Sequence, residues 1–203
     1  MSEPRKACRV SVYDVDMAAL DVRYAARMAA TVRPATLEDL PALTAIYNHY
    51  VINTTITFDL APFDPEARRP WFDAHAVTGR HRLLIAADPD DAVLGYATTS
   101  RWRPKAAYDT TVESSVYCRP DVVGRGIGTA LYSALFEALA GEDIHRIVAG
   151  VSQPNPASVA LHQRCGFRAV GVFSNVGRKF GRYWDVAWFE RALTLSNSSG
   201  REA

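Results

Sequence analysis

Hydrophobic positions along the chain recur with two different periods, which alternate from Thr31 onward. Apolar residues in short runs or at every second position are typical of strands, whereas spacings of three and four residues are typical of helices. Seven segments show the strand pattern: Thr31–Ala35, Leu83–Ala87, Val93–Thr99, Val112–Cys118, Ile147–Val151, Phe167–Phe173 and Tyr183–Phe189. The second and third flank a turn-rich Asp-Pro-Asp-Asp tetrad and are predicted to form a hairpin. A Gly/Lys/Arg-rich loop is predicted between the last two.

Two helices are predicted between the first and second strands. Thr36, with Asp39 three residues further on, approximates a capping box and opens the first helix. Its apolar positions recur at helical spacing, at Leu40, Leu43, Ile46, Tyr47 and Tyr50. Asp64-Pro65 predicts the start of the second helix, because proline is well tolerated in a first helical turn. Pro70 is expected to kink or split that helix.

Two more helices follow the central strand Val112–Cys118. The third is predicted over Thr129–Ala140, with leucines along one face. The fourth is predicted to begin after the cap Asn155 and to stop at Gly166. Strands and helices therefore alternate without an internal repeat or an internal linker, and the pattern predicts an α/β fold.

Composition and charge narrow the class of protein. The chain has 203 residues, of which 48% are hydrophobic and 22% charged, which suits one globular domain. Its formal net charge of +1 gives no reason to expect binding to nucleic acid or to an anionic membrane surface. Its three cysteines lack a C-x-x-C spacing, so neither a disulfide framework nor a structural zinc site is expected. We interpret the chain as a soluble cytoplasmic protein.

Residues 1–30 are interpreted as an N-terminal extension to a domain that spans residues 31–193. The extension has several aspartates and no continuous apolar run, which argues against a transit peptide and a secretory signal. We expect it to be poorly ordered or to form a short helix near Ala18–Ala30. One hypothesis is that the native start lies nearer Met28. Residues 194–203 are interpreted as a C-terminal tail.

A glycine-rich segment follows the central strand and precedes the third helix. It comprises Gly124, Arg125, Gly126, Ile127, Gly128 and Thr129, which we call the glycine loop. Its glycines permit a tight turn, and the positive end of the helix dipole would favour a pyrophosphate there. A plain strand–helix turn explains the loop about equally well. The loop lacks the Gly-Lys-Ser/Thr of a P-loop and does not open a βαβ unit, which argues against both nucleotide-binding motifs.

Many separate motifs together resemble the GCN5-related N-acetyltransferases, and among them the phosphinothricin or methionine sulfoximine acetyltransferase family. The matching segments are Ile46–Val51, Thr57-Phe58, Gly95–Ala97, Trp102–Tyr108, Thr111–Tyr117, Gly126–Tyr132, Pro154-Asn155, Ser158, Leu161–Gln163 and Gly166-Phe167. The resemblance covers roughly Thr31 to Leu193. It implies a GNAT fold, in which about four helices flank a mixed, mostly antiparallel sheet of about seven strands, and a splayed strand pair binds acetyl-CoA.

The resemblance implies that acetyl-CoA is the co-substrate and that no metal is needed. Its pyrophosphate would lie on the glycine loop and its pantetheine arm would meet Asn155, Ser158 and the main chain of Val116, Tyr117 and Cys118. One position departs from the superfamily pattern, because Val123 stands where glutamine or arginine is usual. Main-chain amides supply most phosphate contacts, so binding can survive this change. Arg125 either adds a charge to the phosphates or is simply solvated.

Glu113 and His162 are the predicted catalytic residues. An amine must lose a proton before it attacks a thioester, and a carboxylate on the central strand can take that proton. Strand alternation places Glu113 on the same face as Ser115 and Tyr117. The alternative for Glu113 is a structural salt bridge to a nearby arginine. Where the wider superfamily often has a tyrosine proton donor, this chain has His162, which either protonates the departing thiolate or lines the coenzyme channel.

The resemblance implies a small amino-acid acceptor with a phosphinate, sulfoximine or sulfone side chain, and hence resistance to the herbicide phosphinothricin. Arg103 and Lys105 would bind its carboxylate beside Tyr108, and Phe58 would line the opposite wall. At these two positions relatives have lysine and then arginine, whereas this chain has Arg103 and then Lys105. This exchange leaves the identity of the acceptor open. Another amine, or a catalytically silent coenzyme-binding module, is the alternative. A homodimer is expected, with Trp184 and Trp188 either in its interface or buried within the monomer.

Overall fold

The computed structural model of the chain describes residues 30–193. The predicted N-terminal extension, apart from Ala30, and the predicted tail 194–203 lie outside these residues.

Within residues 30–193, seven strands form one sheet in the order β1-β2-β3-β4-β5-β7-β6. They span Thr31–Pro34 (β1), Leu83–Ala87 (β2), Val93–Arg101 (β3), Thr111–Cys118 (β4), Arg146–Ser152 (β5), Arg168–Lys179 (β6) and Arg182–Ala192 (β7). β4 and β5 are parallel, and the remaining neighbours are antiparallel. The predicted mixed, mostly antiparallel sheet is confirmed.

In the described part of the chain, four α-helices flank the sheet, as predicted. They span Leu40–Asn53 (α1), Arg69–Asp73 (α2), Ile127–Ala138 (α3) and Pro156–Arg164 (α4). The capping box is present, and the backbone N–H of Thr36 donates to the Asp39 carboxylate at 2.7 Å. Pro70 lies in the first turn of α2, directly after a 3-10 turn over Glu66–Arg68, so the predicted helix is split here. Among the described residues no helix is long and apolar enough to cross a membrane.

The predicted loop between the last two strands is wrong, because β6 continues to Lys179 and a tight turn at Phe180-Gly181 leads into β7. Two contacts hold this extension in place. The buried Lys179 ammonium donates to the Thr57 carbonyl at 2.8 Å, and the Asp185 carboxylate accepts from the Asn175 backbone N–H at 2.8 Å. Thr57 is distant in sequence, and Asp185 meets Asn175 only once β6 and β7 have paired, so the local Gly/Lys/Arg composition did not reveal the strand.

The core divides into two clusters on the two faces of the sheet. One includes Val112, Leu131 and Leu135 and packs beneath α3, while the other includes Ile85 and Tyr96 and packs beneath α1. Burying such side chains is the main favourable term in folding. The face assignment predicted for the central strand is confirmed, since β4 sends Val112 to the first cluster and Tyr117 packs against the second.

Candidate active site

The parallel strands β4 and β5 separate partway along their length. They pair at Thr111, Val112 and Glu113, which lie opposite Arg146, Ile147 and Val148, and beyond these residues the pairing ends. A cavity of about 40 Å³ lies between the diverging strands. We call this space the β4–β5 gap. The predicted splayed strand pair is therefore confirmed.

Two residues of β4 direct their backbone N–H and C=O groups toward the β4–β5 gap. The Arg119 N–H donates to the Leu94 carbonyl on the β3 side at 2.7 Å. Since antiparallel partners alternate between bonded and non-bonded pairs, Tyr117 also faces β3, whereas Val116 and Cys118 face away from it. The Cys118 carbonyl accepts from the Tyr50 hydroxyl at 2.5 Å. The Val116 and Cys118 amides thus suit the predicted ligand contacts, and the main chain of Tyr117 does not.

The glycine loop forms the N-terminal entrance to α3. Gly124 and Gly126 both have φ of +84°, which side-chain-bearing residues rarely adopt, and a Cβ atom at either position would meet no atom within 4 Å. A Cβ at Gly128 would come within 2.9 Å of the Leu161 side chain, so Gly128 permits close packing of α3 on α4. The open first-turn amides and the helix dipole suit a phosphate group.

A groove of about 420 Å³ runs from the glycine loop to the β4–β5 gap. Its lining joins the loop to Val116 and Cys118 of β4 and to Asn155 and Ser158 of α4. Asn155 caps α4, because its Oδ1 accepts from the Ser158 N–H at 3.1 Å. Val123, at the position that departs from the superfamily pattern, is 53% exposed at the groove. The structure thus brings the predicted coenzyme residues along one groove, apart from Arg125, which is exposed and does not line it.

Glu113 is the last residue of β4 that pairs with β5. Its side chain is half-buried, and burial raises the pKa of its carboxyl, an effect that the nearby positive charge of Arg103 partly offsets. Within the described residues it makes no ion pair, and Arg101, one of the arginines considered as its partner, pairs with Asp109 at 3.0 Å. A desolvated carboxylate without a salt bridge is a suitable proton acceptor.

His162 is buried, and both of its ring nitrogens have partners. Nδ1 lies 2.7 Å from the Ser158 carbonyl, which only accepts, so Nδ1 carries the proton. Nε2 then accepts from the Tyr132 hydroxyl at 2.9 Å, and that oxygen lies 3.3 Å from the Ser114 hydroxyl. Burial lowers the pKa of His162. The imidazole is therefore neutral and held in place, which favours the channel-lining role.

The predicted acceptor residues come from two separate segments, the loop that carries Arg103, Lys105 and Tyr108 and the segment that carries Phe58. Arg103 stacks over Trp102 at 5.0 Å, and Trp102 meets Tyr108 edge-to-face at 5.2 Å, so this loop is ordered by its own side chains. Arg103 is close enough to Glu113 to act on its pKa, while Lys105 is exposed. Phe58 lies across the β6–β7 hairpin, where a Cβ atom at Gly177 would come within 2.2 Å of its ring.

Sequence reasoning missed several residues around the β4–β5 gap. Ile56 lines both the gap and the groove, and Gly150 and Ser152 of β5 line the gap from the other side. Tyr132, buried on α3, holds His162. The motif resemblance included Tyr132 but gave it no role, and it gave no signal for Ile56, Gly150 or Ser152, because their positions depend on how β4, β5 and β7 align.

Diverging parallel strands beside a glycine loop, with amides along the connecting groove, suit the class of protein that binds an extended ligand carrying a phosphate group at one end. Comparison with known proteins is consistent with this class. A family model for the acetyltransferase (GNAT) domain matches residues 32–188, and the chain belongs to this family. It is an acetyl-CoA-dependent N-acetyltransferase.

Three relatives place the chain more closely. Phosphinothricin N-acetyltransferase of Streptomyces coelicolor is 58% identical, over 80% of this chain and 95% of that protein. L-methionine sulfoximine/L-methionine sulfone acetyltransferase of Pseudomonas paraeruginosa is 41% identical, over 85% of this chain and 99% of that protein. The acetyl-CoA complex of a phosphinothricin acetyltransferase from Sinorhizobium meliloti superposes with a TM-score of 0.75 at 34% identity, covering 85% of this chain and 94% of that one.

Proposed function

We propose that the acceptor is the α-amino group of a small amino acid whose side chain carries a phosphinate, sulfoximine or sulfone group. The relatives that act on such compounds match most of this chain. The observation that carries the proposal is the position of Glu113, a desolvated carboxylate at the point where β4 and β5 separate. Acetylation of phosphinothricin by this route would confer resistance to that herbicide.

Glu113 acts as the general base in this proposal. Acetyl-CoA supplies an acetyl group activated as a thioester. The acceptor amine is mostly protonated at neutral pH, and the Glu113 carboxylate removes the proton directly or through water. A raised pKa makes this carboxylate a stronger base than an exposed glutamate. The N–H groups of Val116 and Cys118 stabilise negative charge on the acetyl oxygen.

Direct transfer, without a covalent enzyme intermediate, is supported by the state of the thiol in the groove. Burial raises the pKa of Cys118 to about 11, so the group is a protonated thiol at neutral pH and a poor nucleophile. We assign His162 a positioning role, because both ring nitrogens are engaged with Ser158 and Tyr132. No metal takes part in this scheme.

Arg103 and Lys105 bind the acceptor carboxylate in this proposal, beside Tyr108. Arginine can engage a carboxylate through two parallel hydrogen bonds, whereas lysine acts as a point charge. The electrostatic effect of Arg103 on Glu113 supports its place near the acceptor. Phe58, held over Gly177, forms the opposite wall.

We further propose that the protein is a cytoplasmic homodimer that pairs through β6. This strand is at the edge of the sheet, where unpaired backbone groups and apolar side chains favour association. Four of its apolar residues are more than half exposed: Val170, Val172, Phe173 and Val176. Cys118 and Cys165 are both free thiols, which is compatible with a reducing compartment.

Thiol release from acetyl-CoA, measured with a panel of amines, tests the acceptor class. The panel holds phosphinothricin, methionine sulfone, methionine sulfoximine, ordinary amino acids, an aminoglycoside and a polyamine. We expect the three oxygenated amino acids to give the highest kcat/KM. Faster release with the polyamine or aminoglycoside would contradict the proposed acceptor. Tight coenzyme A binding without release for any amine would instead indicate a silent coenzyme-binding module.

A further inference from the structure

Two buried polar atoms near the β4–β5 gap have no hydrogen-bond partner among the described residues. They are the Ser152 hydroxyl oxygen and Trp188 Nε1. Ser152 is only 6% exposed, and it lines the gap. A buried polar group without a partner is costly, and such groups in native proteins call for a specific explanation.

Trp184, four residues earlier on β7, provides a direct comparison with Trp188. Both tryptophans point to the same face, because they are separated by an even number of residues. Trp184 Nε1 donates to the Lys179 carbonyl at 2.9 Å, so its N–H forms a hydrogen bond within the β6–β7 hairpin. Trp188 Nε1 has no such partner in residues 30–193. The structural role that explains Trp184 therefore does not explain Trp188.

The strand register places both unpartnered groups on the face that carries Glu113. Glu113 lies opposite Val148, and the side chains of Val148, Gly150 and Ser152 point the same way along β5. Across β7, Gly150 pairs with Trp188 and Ser152 pairs with Val186. Glu113, Trp188 and Ser152 therefore lie in succession along one face of the sheet.

Gly150 brings the indole of Trp188 close to the β4–β5 gap. A Cβ atom at Gly150 would lie 3.4 Å from Trp188 Cζ2, which is two bonds from Nε1. Gly150 itself lines the gap together with Ser152. Residues two apart on a strand are separated by about 7 Å. Trp188, level with Gly150, is therefore about 7 Å along the sheet from Glu113, and Ser152 is about 13 Å along it. The side chain of an acceptor whose amine meets Glu113 would extend along this line toward both groups.

The two groups have the chemistry of an oxygen-binding site. An indole N–H only donates a hydrogen bond, and a serine hydroxyl can donate one as well. Hydrogen-bond acceptor atoms on the ligand would therefore satisfy both groups. The phosphinate, sulfoximine and sulfone groups each present such an oxygen, whereas a thioether sulfur is a weak acceptor. The acceptor carboxylate has its own cations, Arg103 and Lys105, on the loop before β4.

We propose that Trp188 Nε1 and the Ser152 hydroxyl donate hydrogen bonds to the side-chain oxygens of the acceptor, and that this pair selects oxidised side chains over the thioether of methionine. The inference rests on the proposed function, because it assigns the side-chain subsite of that same acceptor. A site built to hydrogen-bond a polar substrate group strongly rejects an analogue without it, since the protein groups are then left unpaired.

Methionine sulfone and methionine form a suitable pair of acceptors, because they differ only in two side-chain oxygens. The experiment measures kcat/KM for both with the wild type, Trp188→Phe and Ser152→Ala. Where methionine turns over too slowly, its inhibition constant against methionine sulfone replaces KM. We expect each variant to reduce the preference for the sulfone by about 10-fold or more, mainly through a higher KM for the sulfone.

Trp184→Phe is the matched control, because it removes an indole N–H that is already satisfied within the hairpin. It should leave the sulfone preference within about two-fold of the wild type. Coenzyme A affinity and the melting temperature verify that each variant is folded, and Ser152→Ala decides the matter if Trp188→Phe does not fold. An unchanged preference in folded variants overturns the inference while leaving the proposed acceptor intact. A wild type that acetylates a polyamine but neither amino acid overturns both.

Discussion

Burial sets the protonation of the side chains around the β4–β5 gap. It raises the pKa of Glu113 and of Cys118, and it lowers the pKa of His162. The neutral form is favoured in each case, since a low-dielectric surrounding penalises charge. Only Glu113 has a nearby cation, Arg103, that works against this effect. The site thereby keeps one base available beside groups that stay neutral.

His162 leads to a prediction about stability and pH. Its pKa is lower in the folded protein than in the unfolded chain, so below about pH 6.5 the unfolded state binds more protons. The free energy of unfolding should therefore fall as the pH drops from 7.5 to 5. In His162→Gln the fall should be shallower, with a remainder from His75 and His81, whose pKa values are also lowered.

Urea unfolding at a series of pH values measures this effect. His145→Gln, at an exposed position, is the control and should keep the wild-type slope. A His162→Gln protein with the wild-type pH dependence would mean that the imidazole is not held neutral. Removing His162 also removes the acceptor of the Tyr132 hydroxyl and leaves that hydroxyl only the longer contact with the Ser114 hydroxyl, at 3.3 Å, so the loss should cost about 0.5–1.5 kcal/mol at neutral pH.

At the scale of secondary structure, most elements follow from the local sequence. The hydrophobic period predicted all seven strands and two of the four helices, and the signals at Asp64-Pro65 and Asn155 predicted the other two. The extension of β6 to Lys179 was missed because it depends on the distant Thr57 and on the pairing with β7 that brings Asp185 to Asn175.

The candidate site divides in the same way. The glycine loop and the strand that carries Glu113 could be predicted from the sequence, because each is formed by contiguous residues. The role of Ser152 and Trp188 could not be predicted in this way, because it follows from the register between strands and from polar atoms that lack hydrogen-bond partners. The partners of His162 also come from elsewhere, since Tyr132 belongs to α3.

Gly126→Ala tests the glycine loop. The substitution forces a residue with a Cβ into φ of +84°, at a cost of about 1–2 kcal/mol, and relaxation of that strain should reorient the first amides of α3. We expect weaker coenzyme A binding by calorimetry. Gly141→Ala, at φ of +88° beyond the end of α3, carries the same strain and should leave the coenzyme affinity unchanged. If Gly126→Ala and Gly141→Ala bind coenzyme A with the same affinity, the glycine loop does not take part in coenzyme binding.

Gly177→Ala tests the wall that Phe58 is proposed to form. The new methyl group would overlap the Phe58 ring, so the ring has to move. We expect a higher KM for methionine sulfone with little change in coenzyme A affinity. Gly171→Ala lies on the same strand with no atom within 4 Å of the added methyl and serves as the control. If the two variants have the same KM, Phe58 does not contact the acceptor.

At the scale of the whole molecule, the sheet leaves β6 as an exposed apolar edge. Val172→Lys places a charge at the centre of that edge, where Val172 is 57% exposed. We expect the protein to change from dimer to monomer by analytical ultracentrifugation, because a charged edge strand resists pairing. Val77→Lys, at an exposed apolar position away from β6, should stay dimeric. A monomeric wild type would contradict the proposed dimer.

The fold links these scales. The seven-stranded sheet holds a parallel pair at its centre, and the divergence of that pair exposes the amides of β4 beside a carboxylate. α3 and α4 then bring the glycine loop and Ser158 to one side of the opening. Coenzyme and acceptor are thus expected to approach the same short stretch of β4 from its two faces.

The most direct test of this account is the turnover of methionine sulfone by Glu113→Gln, followed by thiol release between pH 5 and 9. We predict that kcat at neutral pH falls by about 10²-fold or more while the dissociation constant of coenzyme A stays within about two-fold. In the wild type, kcat should rise with pH through a midpoint above the ordinary glutamate pKa, because burial raises that of Glu113. Wild-type turnover by Glu113→Gln at neutral pH would contradict the assignment of Glu113 as the base.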